Sequence, residues 1–179
     1  MIANKPLANK PLADKRVYLS GPIQFGDESN WRDKPKDILT QKFGLQIFDP
    51  FADPKQQWVP TLTEAQKNKD VETIVRIAKN FVRKDLSLVD RSDLLIAYLP
   101  YKIPTTGTHH EIINSNNAKK PTLLVTNLDN ITYIPLWYFG FIPPEFMFAG
   151  WDALFFYLTE VNDGKHKHNN RWSFIYGEI

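Results

Sequence analysis

Ser92-Asp93-Leu94-Leu95-Ile96-Ala97-Tyr98-Leu99, followed beyond Pro100 and Pro104 by Gly107-Thr108-His109-His110-Glu111, is the stretch on which the reading of this chain turns. The continuously apolar run Leu94 to Leu99 predicts a strand covered on both faces, as in a parallel sheet. After the proline-containing loop, the spacing predicts a helix from Thr108 to about Ala118, with Glu111 in its first turn. Ligands of open α/β sheets bind where strand C-termini feed helices. A carboxylate at that place can touch a substrate.

Toward the N-terminus, Val17-Tyr18-Leu19 predicts a short strand running into the turn Ser20-Gly21-Pro22, where backbone can approach a ligand. A helix is expected over Trp31 to Phe43, ending near Gly44, and a second strand over Leu45 to Phe48. Asp49-Pro50 stops that strand at the presumed ligand edge. Phe51 to Leu62, with Pro54 and Pro60, reads as a loop over the same edge. One long helix should follow from about Glu64 to Val89, its apolar face made of Val71, Ile74, Val75, Ala78, Phe81, Val82 and Val89.

Toward the C-terminus, Thr122 to Thr126 predicts a fourth strand and Phe146 to Leu158 a helix. A polar loop through His166 and His168 and a tail from Trp172 to Ile179 complete the chain. Alternating strands and helices imply a parallel sheet with helices on both faces. The tandem Asn4-Lys5-Pro6-Leu7-Ala8 and Asn9-Lys10-Pro11-Leu12-Ala13 reads as a flexible arm, so the expected organisation is an arm over 1–15 and one domain over 16–179.

With 179 residues, 42% of them hydrophobic, the chain can bury a core without covalent staples. It has no cysteine, which removes disulfides and thiolate chemistry and suits a reducing cytoplasm. A net charge of +2, with bases and acids interspersed, argues against a surface for nucleic acid polymers. No apolar run reaches membrane-spanning length. The aromatic-rich stretch Phe139 to Phe156, broken by Pro143, Pro144 and Gly150, reads as core or subunit interface.

Two acids stand out. Asp85 falls inside an apolar helical stripe, where a carboxylate is costly unless it is paired or lines a polar cavity. Glu111 follows Thr108 at capping-box spacing, so it reads either as a cap or as a nucleophile kept ionised by a helix N-terminus. Asp93 is expected to fix the turn before its strand. His109 and His110 lie about 100° apart on a helix and cannot share a metal ion. His166 and His168 sit in a polar loop, where they could chelate only weakly. There is no HExxH, GxGxxG, Walker loop or GxSxG.

Together, Val17-Tyr18-Leu19-Ser20-Gly21-Pro22-Ile23, Asp85-Leu86-x-x-Val89-x-x-Ser92-Asp93-Leu94-Leu95-Ile96-Ala97 and Gly107-Thr108-x-x-Glu111 resemble the nucleoside 2-deoxyribosyltransferase family over roughly 16–125. The resemblance implies a flavodoxin-like doubly wound sheet and transfer of a 2-deoxyribosyl group between nucleobases. It implies Glu111 as nucleophile at C1′, Asp85 as the base contact and Tyr18 as the residue orienting Glu111. Gly21, Pro22, Phe25, Asp49, Thr105, Gly107 and Asn127 would bind substrate. No metal or organic cofactor is required, the partners are a deoxynucleoside and a free nucleobase, and a homo-oligomer is expected.

The sequence departs from the family at three places. Thr105 stands where many transferases carry a second acid, Ile113 where glycine is common, and Ile134-Pro135-Leu136 where a Pro-x-Asn-Leu context is usual. A hydroxyl residue at Thr105, next to Thr106, is the pattern of related deoxynucleoside 5′-monophosphate hydrolases. A nucleotide-binding protein without turnover is the third reading.

Overall fold

A computed structural model of the protein describes residues 10–23, 31–103 and 105–177. Five parallel strands, β1 (Arg16–Ser20), β2 (Gln46–Phe48), β3 (Leu94–Leu99), β4 (Thr122–Thr126) and β5 (Met147–Ala149), form one sheet in the order β2-β1-β3-β4-β5. That is the flavodoxin-like order of a doubly wound sheet, with its topological switch between β1 and β3. Helix α1 (Asp33–Phe43) packs with α5 (Trp151–Asn162) on one face, and α3 (Val71–Arg91) with α4 (Thr106–Asn117) on the other. The two central strands are therefore enclosed, and every residue of β3 is buried. Tyr18 pairs with Leu95 and Ser20 with Ala97, which sets the C-terminal ends of β1 and β3 side by side.

Asp93 anchors that register. Its backbone N–H donates to Arg16 O at 2.7 Å, and its carboxylate accepts from the Arg16 guanidinium at 2.8 Å. Gly44 closes α1 in the left-handed region, φ 72°, as expected of a C-cap glycine.

Four expectations need correction. The segment after β2 is helical rather than a loop: single turns at Pro50–Ala52 and Pro54–Trp58 lead into α2 (Val59–Lys67). Proline suits the first helical position, and Asp49 and Asp53 cap the two turns by accepting from Phe51 N at 2.9 Å and Lys55 N at 2.7 Å. The expected long helix is two helices, broken where Lys69 takes φ 57° and Asp70 caps α3 by accepting from Thr73 N at 3.1 Å.

Only part of the apolar stripe on α3 faces the core. Ile77 and Val89 are buried, but Val71, Val75 and Val82 are exposed. A helix of 21 residues is about 30 Å long, against about 20 Å for a six-residue strand, so its first half overhangs the sheet and leans on α2. Finally, the helix expected from Phe146 begins only at Trp151. Met147–Ala149 instead add an edge strand to β4, with Leu124 opposite Met147. Three residues are too few to display a strand period.

Of the segment expected as an arm, residues 10–15 are described. Leu12 is fully buried in the core, its N–H donates to Asn162 Oδ1 at 3.0 Å, and Asp14 N donates to Gly44 O at 2.9 Å. Residues from Lys10 onward thus pack onto the domain. In and just before the aromatic-rich stretch, Tyr138, Phe146, Phe148 and Phe155 join the core, whereas Trp137 is 80% exposed. No helix among the described residues is long and apolar enough to cross a membrane.

Candidate active site

Residues two apart on a strand share a face. Tyr18 and Ser20 do so on β1, and both reach the same carboxylate on α4. The Tyr18 hydroxyl donates to Glu111 Oε1 at 2.8 Å, and the Ser20 hydroxyl donates to Oε2. Glu111 is 8% exposed, and that small exposure opens into a cavity of about 400 Å³ at the C-terminal edge of the sheet. Asp85, Phe81 and Gln56 line the same cavity, as do Gly21, Pro22 and the segment Thr105–Thr108.

Glu111 is not a cap. Helix α4 begins at Thr106, two residues before the expected start, so Glu111 lies beyond the first turn and cannot return to the Thr108 amide. Burial raises the Glu111 carboxyl above the ordinary carboxylate range. Hydrogen bonds from Ser20 and Tyr18 oppose the rise, while the nearby Asp85 adds to it. Burial, reinforced by Glu111, pushes the Tyr18 phenol far above its usual range, so it stays a hydrogen-bond donor. Asp85 is likewise raised by burial, against the pull of its ion pair with Lys55.

The turn after β1 is built for close approach. A Cβ on Gly21, whose φ is +154°, would lie 2.5 Å from Trp31 Cζ2 and 3.2 Å from the Tyr98 carbonyl oxygen. Arg32, fully buried, donates from Nη2 to Gly21 O at 2.9 Å and from Nη1 to Pro22 O at 2.8 Å. Its Nε stands 3.2 Å from Asp49 Oδ1, and Lys36 Nζ reaches Asp49 Oδ2 at 2.9 Å. Asp49 thus stands behind the turn and does not line the cavity.

Asn127 is also elsewhere. Its Oδ1 accepts from Tyr101 N at 2.9 Å and pins the loop after β3. Thr105 is buried and lines the cavity, and a Cβ on Gly107 would meet nothing within 4 Å. Phe25 lies outside the described residues. His109 Nδ1 bonds the Tyr138 hydroxyl, and His110 is exposed. Among the described residues, no group of three or more His, Asp or Glu is placed to hold a metal ion.

Sequence reasoning missed Ser20, Arg32 and Lys55. Ser20 was legible through its two-residue spacing from Tyr18. The buried cations carried no signal, because lysine and arginine are ordinarily surface residues.

No family model matches the sequence, and no curated protein is significantly similar to it. Solved structures do resemble it. A 2-deoxyribosyltransferase from Bacillus psychrosaccharolyticus superposes with a TM-score of 0.52 at 20% identity, covering 78% of this chain and 89% of that one. A Leishmania mexicana 2-deoxyribosyltransferase gives 0.43 at 19%, covering 63% and 65%, and a Clostridium botulinum CMP N-glycosidase gives 0.36 at 18%, covering 63% and 71%. This chain, with its five-stranded, all-parallel sheet, shares the fold of the Bacillus enzyme.

Proposed function

We propose that this protein cleaves the N-glycosidic bond of 2′-deoxynucleosides and passes the sugar to a second nucleobase. One observation carries the reading: the buried Glu111 carboxylate is clamped by two hydroxyl donors at the wall of a nucleoside-sized cavity, with Asp85 on the same wall. A Glu111 oxygen attacks C1′, and the C1′–N bond breaks with its electron pair leaving on the base, which takes up a proton. The resulting glycosyl ester divides one difficult displacement into two. The incoming base attacks C1′, Glu111 leaves as a carboxylate, and configuration is retained overall. Tyr18 and Ser20 hold the carboxylate plane, and Asp85 contacts the base.

A second reading is favoured by Thr105, Thr106 and Thr108. Their segment lines the cavity at the N-terminus of a 12-residue helix whose N-cap makes no side-chain hydrogen bond. Free N–H groups there suit an anion, hence a 5′-phosphate, with water as the acceptor. Binding without turnover is the third. Association of copies in the cytoplasm is part of the same proposal, with the exposed Leu136 and Trp137 as apolar surface for it.

Chromatography of wild type and Glu111→Ala, given a deoxynucleoside and a different free base, tests these readings. A new deoxynucleoside formed only by wild type establishes transfer. Base release without a new nucleoside establishes hydrolysis, and a strong preference for the monophosphate supports the second reading. Turnover unchanged in Glu111→Ala overturns the mechanism. Tyr18→Phe removes one of the two donors, so kcat should fall roughly 10- to 100-fold with KM little changed. A change confined to KM would place Tyr18 in ground-state binding instead.

A further inference from the structure

The side chain of Lys55 is 1% exposed, although lysine almost never buries without a partner. Its partner is Asp85: Nζ donates to Oδ1, and Asp85 lines the cavity. The Lys55 N–H is held by Asp53, which fixes the turn carrying the lysine. Lys84 stands 3.5 Å from Asp53, so the local order of charge is Lys84, Asp53, Lys55, Asp85. The ring of Phe81, another cavity wall, lies 5.9 Å from the Lys55 ammonium.

We propose that Lys55 is a positioning residue that fixes Asp85 as an ionised, hydrogen-bond-accepting carboxylate, so that the site favours bases bearing an amidine edge. The inference rests on the glycosyl-transfer reading above. An amino group beside a ring nitrogen, as in cytosine or adenine, lets that nitrogen take a proton from solvent hydronium, leaving water, and the edge then presents two N–H donors. A fixed carboxylate stabilises that cation. When the C1′–N bond breaks, the electron pair neutralises the positive charge and the base departs uncharged. Uracil, thymine and hypoxanthine place a carbonyl oxygen where the amino group would be, and it meets the carboxylate as a like partner.

Other charges bear on the pair. Arg32, behind the Gly21 turn, also favours the ionised form of Asp85, whereas Asp53 opposes it. Glu111 on α4 is held toward its ionised form by Lys55 and away from it by Asp85, and it lies against Tyr18 of β1. Removing the Lys55 charge should therefore raise the titration of both acids together.

The test compares deoxycytidine and deoxyadenosine with thymidine, deoxyuridine and deoxyinosine as donors, for wild type, Lys55→Met and Lys55→Arg across pH. Wild type should show kcat/KM at least 10-fold higher for the amino donors. Lys55→Met should reduce that ratio to below 3-fold and move the acid limb of kcat/KM upward. Lys55→Arg should restore both. Equal rates for all donors in wild type, or an unchanged ratio and acid limb in a folded Lys55→Met, overturn the proposal and leave glycosyl transfer standing. If Lys55→Met does not fold, the wild-type donor ratio alone decides. Failure to cleave any donor overturns the underlying reading and this inference with it.

Discussion

Glu111→Gln should abolish base release while raising the melting temperature, and the gain should be largest at alkaline pH. The amide cannot form a glycosyl ester, so turnover falls by on the order of 10³-fold or more. The stability effect follows from linkage. Burial raises the Glu111 carboxyl in the folded protein, so the native state holds its proton more tightly than the unfolded chain does. Its contribution to stability is present below the ordinary carboxylate range and is lost as pH rises through the elevated folded value. Glutamine does not titrate, and it still accepts from Tyr18. Melting curves of the two proteins should diverge from acid to alkaline pH and converge toward acid. A variant less stable than wild type at pH 8, or a gap independent of pH, would show that the carboxylate is comfortable when ionised.

Arg32→Met should cost about 3 kcal/mol of unfolding free energy, read from the urea midpoint at unchanged slope. The guanidinium is buried, holds two carbonyls of the Gly21–Pro22 turn and pairs with Asp49. Its removal takes the guanidinium donor from Gly21 O, leaves Pro22 O to Trp31 Nε1 at 3.2 Å, and leaves half of an ion pair. Lys36, still on Asp49 and one-third exposed, keeps the cost at the low end for breaking a buried pair. Arg32→Lys should recover only part of the loss, because an ammonium cannot span both carbonyls and the carboxylate at once. A loss below about 1 kcal/mol would mean that the turn holds its shape unaided.

The central sheet was legible because β3 is an unbroken apolar run, β4 centres on Leu123-Leu124-Val125, and β1 ends in a glycine turn. Glu111 and Tyr18 were singled out by the family resemblance, and in the structure the Tyr18 hydroxyl donates to Glu111. The capping reading of Glu111 failed on a two-residue error in the helix start, which depends on how Thr105 leaves the strand loop. Asp49 and Asn127 were read as substrate contacts, but their side chains hold Arg32, Lys36 and the Tyr101 amide, since spacing along a chain does not reveal side-chain direction. Lys55 escaped notice because its burial depends on Asp85, 30 residues away. The break at Lys69 left no proline or glycine to announce it.

The hydrogen bond from Leu12 to Asn162 spans 150 positions of the chain. During synthesis the N-terminal segment emerges first, yet its clasp forms only after the last long helix has left the ribosome. Until then, Leu12 and the apolar surface that it covers stay open to chaperones and to other nascent chains. Chains shortened before Asn162 should expose that surface permanently, so premature termination should produce aggregation rather than a smaller folded protein.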